Sequence, residues 1–251
     1  MSSADPLLRL YGSLPRKSPG SAAAKREALR RLGPVPPRAR VLDLGCGTGS
    51  ATFVLAEALE RPRIVAVDLL KAFLDELDAE AAKRGIGDAI ETRERDMIDP
   101  GVTRSSVDLL WCEGAIYNVG FKTGLAAWRP LLRPGAAVAV SELCFTSDQP
   151  PPESARYWKS AYPPMTTVDA NARAAAAAGY EVIGTLPLPE EAWWREYYEP
   201  LEARADALAD EATRDPELLS VVRDAREEID ARRRFGSSYA YVFFLLRPRA
   251  H

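Results

Sequence analysis

The sequence has few residues of the kinds that build metal, disulfide and triad sites. Among its 251 residues there is one histidine, His251, and there are three cysteines without C-x-x-C spacing. A histidine-based metal centre and a Ser-His-Asp triad both need more histidine than this, so we expect no metal site. Sparse, unpatterned cysteines are typical of reduced thiols and predict a cytoplasmic protein.

The sequence also lacks a basic excess and a long apolar run. The formal net charge is -3, which argues against non-specific binding to nucleic acid. No apolar stretch reaches the roughly 20 residues of a membrane-spanning helix. The first residues, MSSADPLLRLYGS, lack the apolar core of a signal peptide. We therefore expect neither a membrane span nor a nucleic-acid partner.

Short apolar strands alternate with helices through most of the chain. ARVLDLG, RIVAVD, SVDLLWCE and AAVAVSEL read as buried strands, and the segments 50–59, 71–84 and 123–132 between them have helical patterns. Alternation of this kind predicts parallel pairing through right-handed crossovers. The predicted fold class is a doubly wound α/β protein. Its sheet is Rossmann-like, mostly parallel and seven-stranded, with an antiparallel last strand, YAYVFFLLRP.

A pair of helices interrupts the alternation near the C-terminus. We predict helices over about 190–213 and 216–234, within an insertion of about 188–236 between the last two strands. Pro200 is expected to kink or split the first, and Asp215 followed by Pro216 marks the start of the second. The arginines near its end are expected to be solvated, with a patch for an acidic substrate as the alternative: Arg226, Arg232, Arg233 and Arg234.

Aromatic residues cluster in and before this insertion. They are Tyr157, Trp158, Tyr162, Trp193, Trp194, Tyr197 and Tyr198. The spacing of four between Trp193 and Tyr197, and between Trp194 and Tyr198, predicts two adjacent stripes on a helix. We interpret them as packing or a homodimer contact. The alternative is a lid over an apolar acceptor, formed by the N-terminal arm, residues 145–165 and the inserted helices.

The stretch VLDLGCGTGS places three glycines directly after the first strand of the alternation. Gly45, Gly47 and Gly49 allow close approach of a ligand to the backbone, and a helix beginning near Ser50 directs its positive end to the same place. Asp68 follows 19 residues after Gly49, at the end of the next strand, where a carboxylate can bind both hydroxyls of a ribose. The pattern predicts a nucleoside site. The alternative is a ligand-free turn in which Asp68 caps the next helix.

The glycine spacing is G-x-G-x-G rather than the dinucleotide pattern, and at this point the sequence resembles class I S-adenosylmethionine-dependent methyltransferases. The matching segments are VLDLGCGTG, Asp68 after RIVAVD, Asp96 in RERDM, SVDLLWCEGAI and LLRPGAAVAVSE, so the resemblance covers about residues 38–142. It is closest to the small-molecule group that includes the ubiquinone- and menaquinone-type enzymes. The segment SLPRKSPGS near the N-terminus of this chain also resembles the entry segment of that group.

The resemblance implies a cofactor, S-adenosylmethionine, and a role for each matching position. The glycine turn would pass along the methionine and ribose, Asp68 would hold the ribose, and Asp96 and the Met97 backbone would meet the adenine. The full set of implied cofactor-binding residues is Asp43, Gly45, Cys46, Gly47, Gly49, Asp68, Leu69, Asp96, Met97, Glu113 and Gly114. Asp96 as a simple turn cap and Glu113 as a solvated strand end are the alternatives.

Three residues near strand ends are candidates for a general base in methyl transfer to a small organic acceptor: Glu113, Tyr117 and Glu142. We expect residues 1–37 to form an N-terminal arm and helix, and residues 38–251 to form the methyltransferase domain. Two alternatives stay open from the sequence. One is an NAD(P)-dependent oxidoreductase on a Rossmann-like fold, and the other is a non-catalytic cofactor-binding partner subunit.

Overall fold

The computed structural model describes residues 5–12 and 14–249. The helices are Pro6–Tyr11 (α1), Ala22–Leu32 (α2), Ser50–Ala58 (α3), Lys71–Lys83 (α4), Phe121–Trp128 (α5), Pro152–Ala161 (α6), Val168–Ala177 (α7), Glu199–Ala207 (α8), Ala209–Ala212 (α9) and Pro216–Phe235 (α10). The strands are Arg40–Leu44 (β1), Arg63–Asp68 (β2), Ile90–Glu94 (β3), Val107–Cys112 (β4), Leu132–Phe145 (β5), Thr166–Thr167 (β6), Tyr180–Pro187 (β7) and Tyr239–Pro248 (β8).

The chain forms two compact units. The helical unit comprises the described residues of Met1–Ser21 together with Phe145–Met165 and Leu188–Ala240. The sheet unit comprises Ala22–Cys144, Thr166–Pro187 and the described residues of Tyr241–His251. Helix α1 belongs to the helical unit and α2 to the sheet unit, and the domain boundary expected after residue 37 stays a prediction.

One sheet, in the order β3-β2-β1-β4-β5-β8-β7, forms the framework of the sheet unit, and β6 pairs with β5 beside this path. Strand β1 pairs in parallel with both β2 and β4, and β4 pairs in parallel with β5. Strand β8 runs antiparallel to β7. The predicted doubly wound, mostly parallel sheet is confirmed. It has eight strands rather than seven because the two-residue strand β6 was not visible in the sequence pattern.

Apolar patterning explains the central strands and their helices. Every residue of β1 after Arg40 is buried, as expected of a strand covered on both faces. Helix α4 buries Leu74, Leu77 and Ala81, which recur at helical spacing. It ends before Gly85, whose φ of 68° is the left-handed conformation that terminates helices.

In the helical unit, Pro200 distorts the first predicted helix of the insertion without interrupting it. A π-helical turn over Trp194–Tyr198 directly precedes α8, which has Pro200 in its first turn. The Tyr198 N–H donates to the Trp193 carbonyl, five residues back, at 2.8 Å. Proline has no N–H for a helical hydrogen bond and crowds the preceding turn, so a widened turn accommodates it. The second helix, α10, begins as predicted, with Asp215 accepting from the Leu218 N–H at 3.2 Å.

Arg232 corrects the expectation that the arginines at the end of α10 are solvated. Its side chain is only 2% exposed. The guanidinium carbon lies 3.8 Å from the centre of the Trp193 ring, and Nη1 donates to the Tyr239 carbonyl at 3.0 Å. Arg232 also forms an ion pair with Glu190. It occupies the apolar face of α10, three residues after buried Ile229, so helical phase places its stem inside.

The late aromatic residues pack largely among themselves within the helical unit. Trp193 is stacked on Tyr198 with ring centres 6.0 Å apart, and Trp158 meets Tyr239 edge-on at 4.7 Å. Trp193 pairs with the residue five positions on because the π turn shifts the helical phase. No helix within the described part of the chain is both long and apolar enough to cross a membrane.

Candidate cofactor site

The glycine turn is tied to the neighbouring strand by its backbone. The N–H groups of Gly45 and Cys46 both donate to the carbonyl of Val67 in β2, at 2.8 and 3.0 Å. Cys46 packs with Ala66 and Leu77 in a buried apolar cluster. The turn is therefore tied into the sheet by both hydrogen bonds and packing.

The three glycines of the turn meet different surroundings. A Cβ on Gly45 would lie 2.3 Å from the Ala115 Cβ, and one on Gly49 would lie 2.8 Å from Leu77. Gly47 has a φ of 54°, and a Cβ there would meet no atom within 4 Å. Gly45 and Gly49 are therefore required by packing within the protein, whereas Gly47 borders open space of the kind that a ligand can fill.

Asp68 joins the turn to the loop after β2. One of its carboxylate oxygens accepts from the Gly47 N–H at 2.8 Å, and the other accepts from the Leu70 N–H at 2.9 Å. A carboxylate oxygen can accept more than one hydrogen bond, so both oxygens keep capacity for ribose hydroxyls. Asp68 also caps the turn that follows β2, which is the alternative role that the sequence left open.

Asp43 is a buried acid inside β1, with 1% of its surface exposed. The Thr52 hydroxyl donates to its Oδ2 at 2.6 Å. Burial raises the pKa of Asp43 to about 7, with the nearby charges of Glu113 and Asp68 acting in the same direction. The hydrogen bond from Thr52 and the charge of Lys25 oppose this shift and favour the carboxylate.

Glu113 follows β4, and its partner was not predicted from the sequence. Its Oε1 lies 3.2 Å from the ammonium of Lys25, and the two side chains are only 5% and 1% exposed. Lys25 also donates to the Ser50 hydroxyl at 3.1 Å, at the first residue of α3. Lys25 shares the buried face of α2 with Ala28, Leu29 and Leu32, and that helical spacing is the signal that could have revealed it.

The segment after β3 meets the glycine turn through Met97. Its methyl carbon lies 3.3 Å from the position of a Cβ on Gly45, and its carbonyl accepts from the Trp128 indole at 2.8 Å. Asp96 is exposed and accepts from the Ile98 N–H at 2.8 Å, so the turn-capping alternative is also realised. Leu69 is 63% exposed, as a residue that would lie against an adenine face can be.

The remaining predicted site residues follow β4 or lie within β5. The Gly114 N–H donates to the Ser141 hydroxyl at 2.8 Å, which joins the two segments. Tyr117 lies in a single turn of 3-10 helix and is 46% exposed. Glu142 is 2% exposed and accepts from the Leu143 N–H at 2.7 Å.

All three cysteines are buried and unpaired by disulfides. Burial raises the pKa of Cys46 and of Cys112 well above the ordinary value, and it raises the pKa of Cys144 to about 12. These thiols are therefore poor nucleophiles, and Cys46 contributes packing to the turn.

Comparisons with known proteins agree with this geometry. Residues 41–135 match the family described as "Methyltransferase domain". O-methyltransferase cnsE of Penicillium expansum is 27% identical over 66% of this chain and 60% of its own length. Nocamycin O-methyltransferase of Saccharothrix syringae is 33% identical over 63% of this chain and 56% of its own length. The chain therefore spans somewhat more than half of each of these relatives.

Among solved structures, a SAM-dependent methyltransferase from Thiobacillus denitrificans in complex with S-adenosyl-L-homocysteine has the same fold. The TM-score is 0.81 at 17% identity, over 99% of this chain and 100% of that one. The fold and the matched domain confirm the resemblance to S-adenosylmethionine-dependent methyltransferases that the sequence predicted.

Proposed function

We propose that this protein transfers the methyl group of S-adenosylmethionine to a small organic acceptor. The observation that carries the proposal is the convergence of acids on the glycine turn within the matched methyltransferase domain. Asp43, Asp68 and Glu113 lie close enough together for Glu113 and Asp68 to raise the pKa of Asp43. Relatives that match over about two thirds of the chain are named as O-methyltransferases or as a phosphoethanolamine N-methyltransferase, which supports a small acceptor.

The charge of the site favours this cofactor over a dinucleotide. Three acidic side chains, those of Asp43, Asp68 and Glu113, lie near one another at the turn, and one buried cation, Lys25, accompanies them. S-adenosylmethionine carries a sulfonium, an ammonium and one carboxylate, so its two cationic centres complement the acids. Asp68 could bind the ribose of either cofactor, but the diphosphate of NAD would be disfavoured beside Asp43 and Glu113. The oxidoreductase alternative has no support from the comparisons either.

The donor set also fits the cofactor position by position. Asp68 has acceptor capacity for the ribose, and Gly47 borders the open space beside the turn. Glu113 and Asp43 would face the ammonium of the methionine portion, while Asp96, Met97 and Leu69 would border the adenine. When bound, S-adenosylmethionine supplies a methyl group on a sulfonium, which is an excellent leaving group.

The residues of the chain then have to orient the acceptor and exclude water. A general base is required only where the acceptor is still protonated. Glu113, Tyr117 and Glu142 are the candidates that we propose for this role. Glu113→Gln, Tyr117→Phe and Glu142→Gln should each be assayed for turnover and for cofactor affinity, and full turnover in all three variants would exclude a base among them.

The lid over the acceptor remains a prediction. Its support is that the N-terminal arm, residues 145–165 and the inserted helices belong to one compact unit. We also propose a cytoplasmic location, which the three buried free thiols support. Light scattering would test for a homodimer, and a filter-binding assay would test the expected lack of affinity for nucleic acid.

A ligand panel on the folded protein tests the proposal. S-adenosylhomocysteine should raise the melting temperature in a saturable way, and NAD should not, because only a ligand of the native state stabilises it. Transfer of a labelled methyl group to a panel of phenols, carboxylic acids and amines then tests catalysis. Folded protein that gives no binding heat with S-adenosylhomocysteine contradicts the proposal. Binding without transfer across the panel favours the non-catalytic partner subunit.

A further inference from the structure

A cleft of about 330 Å³ lies on the surface of the sheet unit, away from the glycine turn. Four arginines line it: Arg104, Arg129, Arg133 and Arg249. Among its described lining residues there is no carboxylate. The whole chain has a net charge of -3, so this concentration of cations does not follow from the overall composition.

The four arginines differ in how their charges are compensated. Arg133 donates to both oxygens of Asp108, at 2.8 and 3.1 Å. Arg129 is held by neutral groups, because its side chain donates to the carbonyls of Gly179 and Arg249. Arg104 and Arg249 have exposed side chains. One of the four cations therefore has a carboxylate partner within the described structure, and an excess of positive charge faces the cleft.

The walls of the cleft are fixed by the fold. Pro130 and Pro134 flank the start of β5, and the Ser105 N–H donates to the Pro130 carbonyl at 2.9 Å. Arg129 bridges α5 to the ends of β7 and β8 through its carbonyl contacts. A cleft with rigid walls loses little conformational entropy when it binds a ligand, which favours binding of a small ion.

The cleft and the candidate cofactor site lie at opposite ends of the parallel strands. Its residues flank the first residues of β4 and β5 and the last residue of β8, whereas the glycine turn follows the last residue of β1. Strands β1, β4 and β5 are parallel, so the cleft lies at the end of the sheet where these strands begin and the glycine turn at the end where they finish. A ligand in the cleft would leave the glycine turn free.

We propose that this cleft binds a small, multiply charged phosphate anion of the diphosphate type. Guanidinium groups match phosphate oxygens with paired hydrogen bonds, and arginine is the side chain best suited to this recognition. Arg104 and Arg249 would supply the contacts, while Arg129, held by two carbonyls, would add charge from a fixed position. The site is distinct from the one in which methyl transfer is proposed and does not depend on it.

Inorganic pyrophosphate is the probe, titrated into the full chain by calorimetry at low ionic strength, with sodium chloride of matched ionic strength as the blank. We expect saturable binding that weakens as salt is added. The double variant Arg104→Gln/Arg249→Gln should bind about 10- to 100-fold more weakly, because each lost charged hydrogen bond costs binding free energy. Both side chains are exposed, so the variant should fold, and its melting temperature checks this.

The matched control is Arg63→Gln/Arg173→Gln, which removes two exposed arginines of the same unit that do not line the cleft. It should bind pyrophosphate as the wild type does. The proposal is overturned if the wild type shows no saturable binding, or if both double variants lose affinity equally, since the attraction is then diffuse.

Discussion

The ammonium of Lys25 lies 3.2 Å from a carboxylate oxygen of Glu113, and neither side chain is more than 5% exposed. Lys25 comes from a helix that precedes the sheet, and it also reaches Ser50 beside the glycine turn. We infer that Lys25 is a positioning residue, which holds Glu113 where the methionine portion of the cofactor would lie. The pair links the N-terminal helix of the sheet unit to the chemistry of the turn.

Lys25→Met should therefore weaken S-adenosylhomocysteine without weakening 5′-methylthioadenosine, which lacks the amino-acid portion. The expected loss is about 10- to 100-fold, the size of a charged hydrogen bond. Arg26→Met is the matched control, because it removes a neighbouring cation whose partner Glu57 is half exposed. Calorimetry with both nucleosides gives the result.

Equal loss of both nucleosides would mean general damage to the site, and no loss would mean that Lys25 has no role in binding. Failure of the wild type to bind either nucleoside would instead contradict the proposed cofactor. The ratio of the two affinities therefore separates the role of one residue from the function of the protein.

Gly45→Ala should mainly lower the stability of the protein, whereas Gly47→Ala should mainly lower its affinity for the cofactor. At Gly45 the new Cβ would collide with Ala115 at 2.3 Å, so the melting temperature should fall strongly. At Gly47 the Cβ would enter open space, and the left-handed backbone costs about 1–2 kcal/mol. Gly47→Ala should nevertheless lose affinity for S-adenosylhomocysteine. If its affinity is unchanged, the open space beside Gly47 is not where the ligand lies.

Asp43 should make the stability of the protein depend on pH in a particular direction. Its pKa is about 7 in the folded protein, above the value of about 3.9 expected for an unfolded chain. The folded state therefore holds a proton that the unfolded state has lost between these values, so the contribution of Asp43 falls as pH rises through this window. Above pH 7 it stays low.

Asp43→Asn removes this titration. The stability of the wild type relative to the variant, from urea unfolding, should fall by about 2–3 kcal/mol between pH 5 and pH 8. Thr52→Val removes the hydrogen bond that opposes the shift, so in that variant the fall should extend to higher pH. A relative stability that is flat or rising across the window would contradict the prediction.

Arg232 should stabilise the helical unit even though it lies among arginines that are mostly exposed. Arg232→Met removes the contact over Trp193 and the hydrogen bond to Tyr239, and should lower the free energy of unfolding by about 2–3 kcal/mol. Arg234→Met is the control, because its ion pair with Glu153 joins two side chains at least 60% exposed. Equal melting temperatures for the two variants would mean that the buried contacts of Arg232 contribute no more stability than the exposed ion pair of Arg234.

The sheet and the glycine turn could be predicted because their signals are local. Strands such as β1 and β2 are continuous apolar runs, and the turn combines glycine with a carboxylate at a fixed separation. Asp68 and Gly47 were expected in the site on that basis, and the structure joins them by a hydrogen bond of 2.8 Å. Local patterns of this kind are independent of the rest of the chain.

Lys25, Arg232 and the π turn were not predicted, for a shared physical reason. A charged residue in a helix is ordinarily solvated, and whether it can be buried depends on partners that the chain brings from elsewhere. Glu113 lies 88 residues from Lys25, and Glu190 lies 42 residues from Arg232. The proline at position 200 signalled a break, but not that the preceding turn would widen.

The carboxylate of Asp68 closes the glycine turn through the N–H groups of Gly47 and Leu70. The protein has therefore met the entropic cost of preorganisation during folding, and an incoming nucleoside would find its ribose acceptor in place. The same two hydrogen bonds restrict which side chains position 68 tolerates. A side chain there that cannot accept two backbone hydrogen bonds would loosen the turn itself, in addition to losing the contact with the ribose.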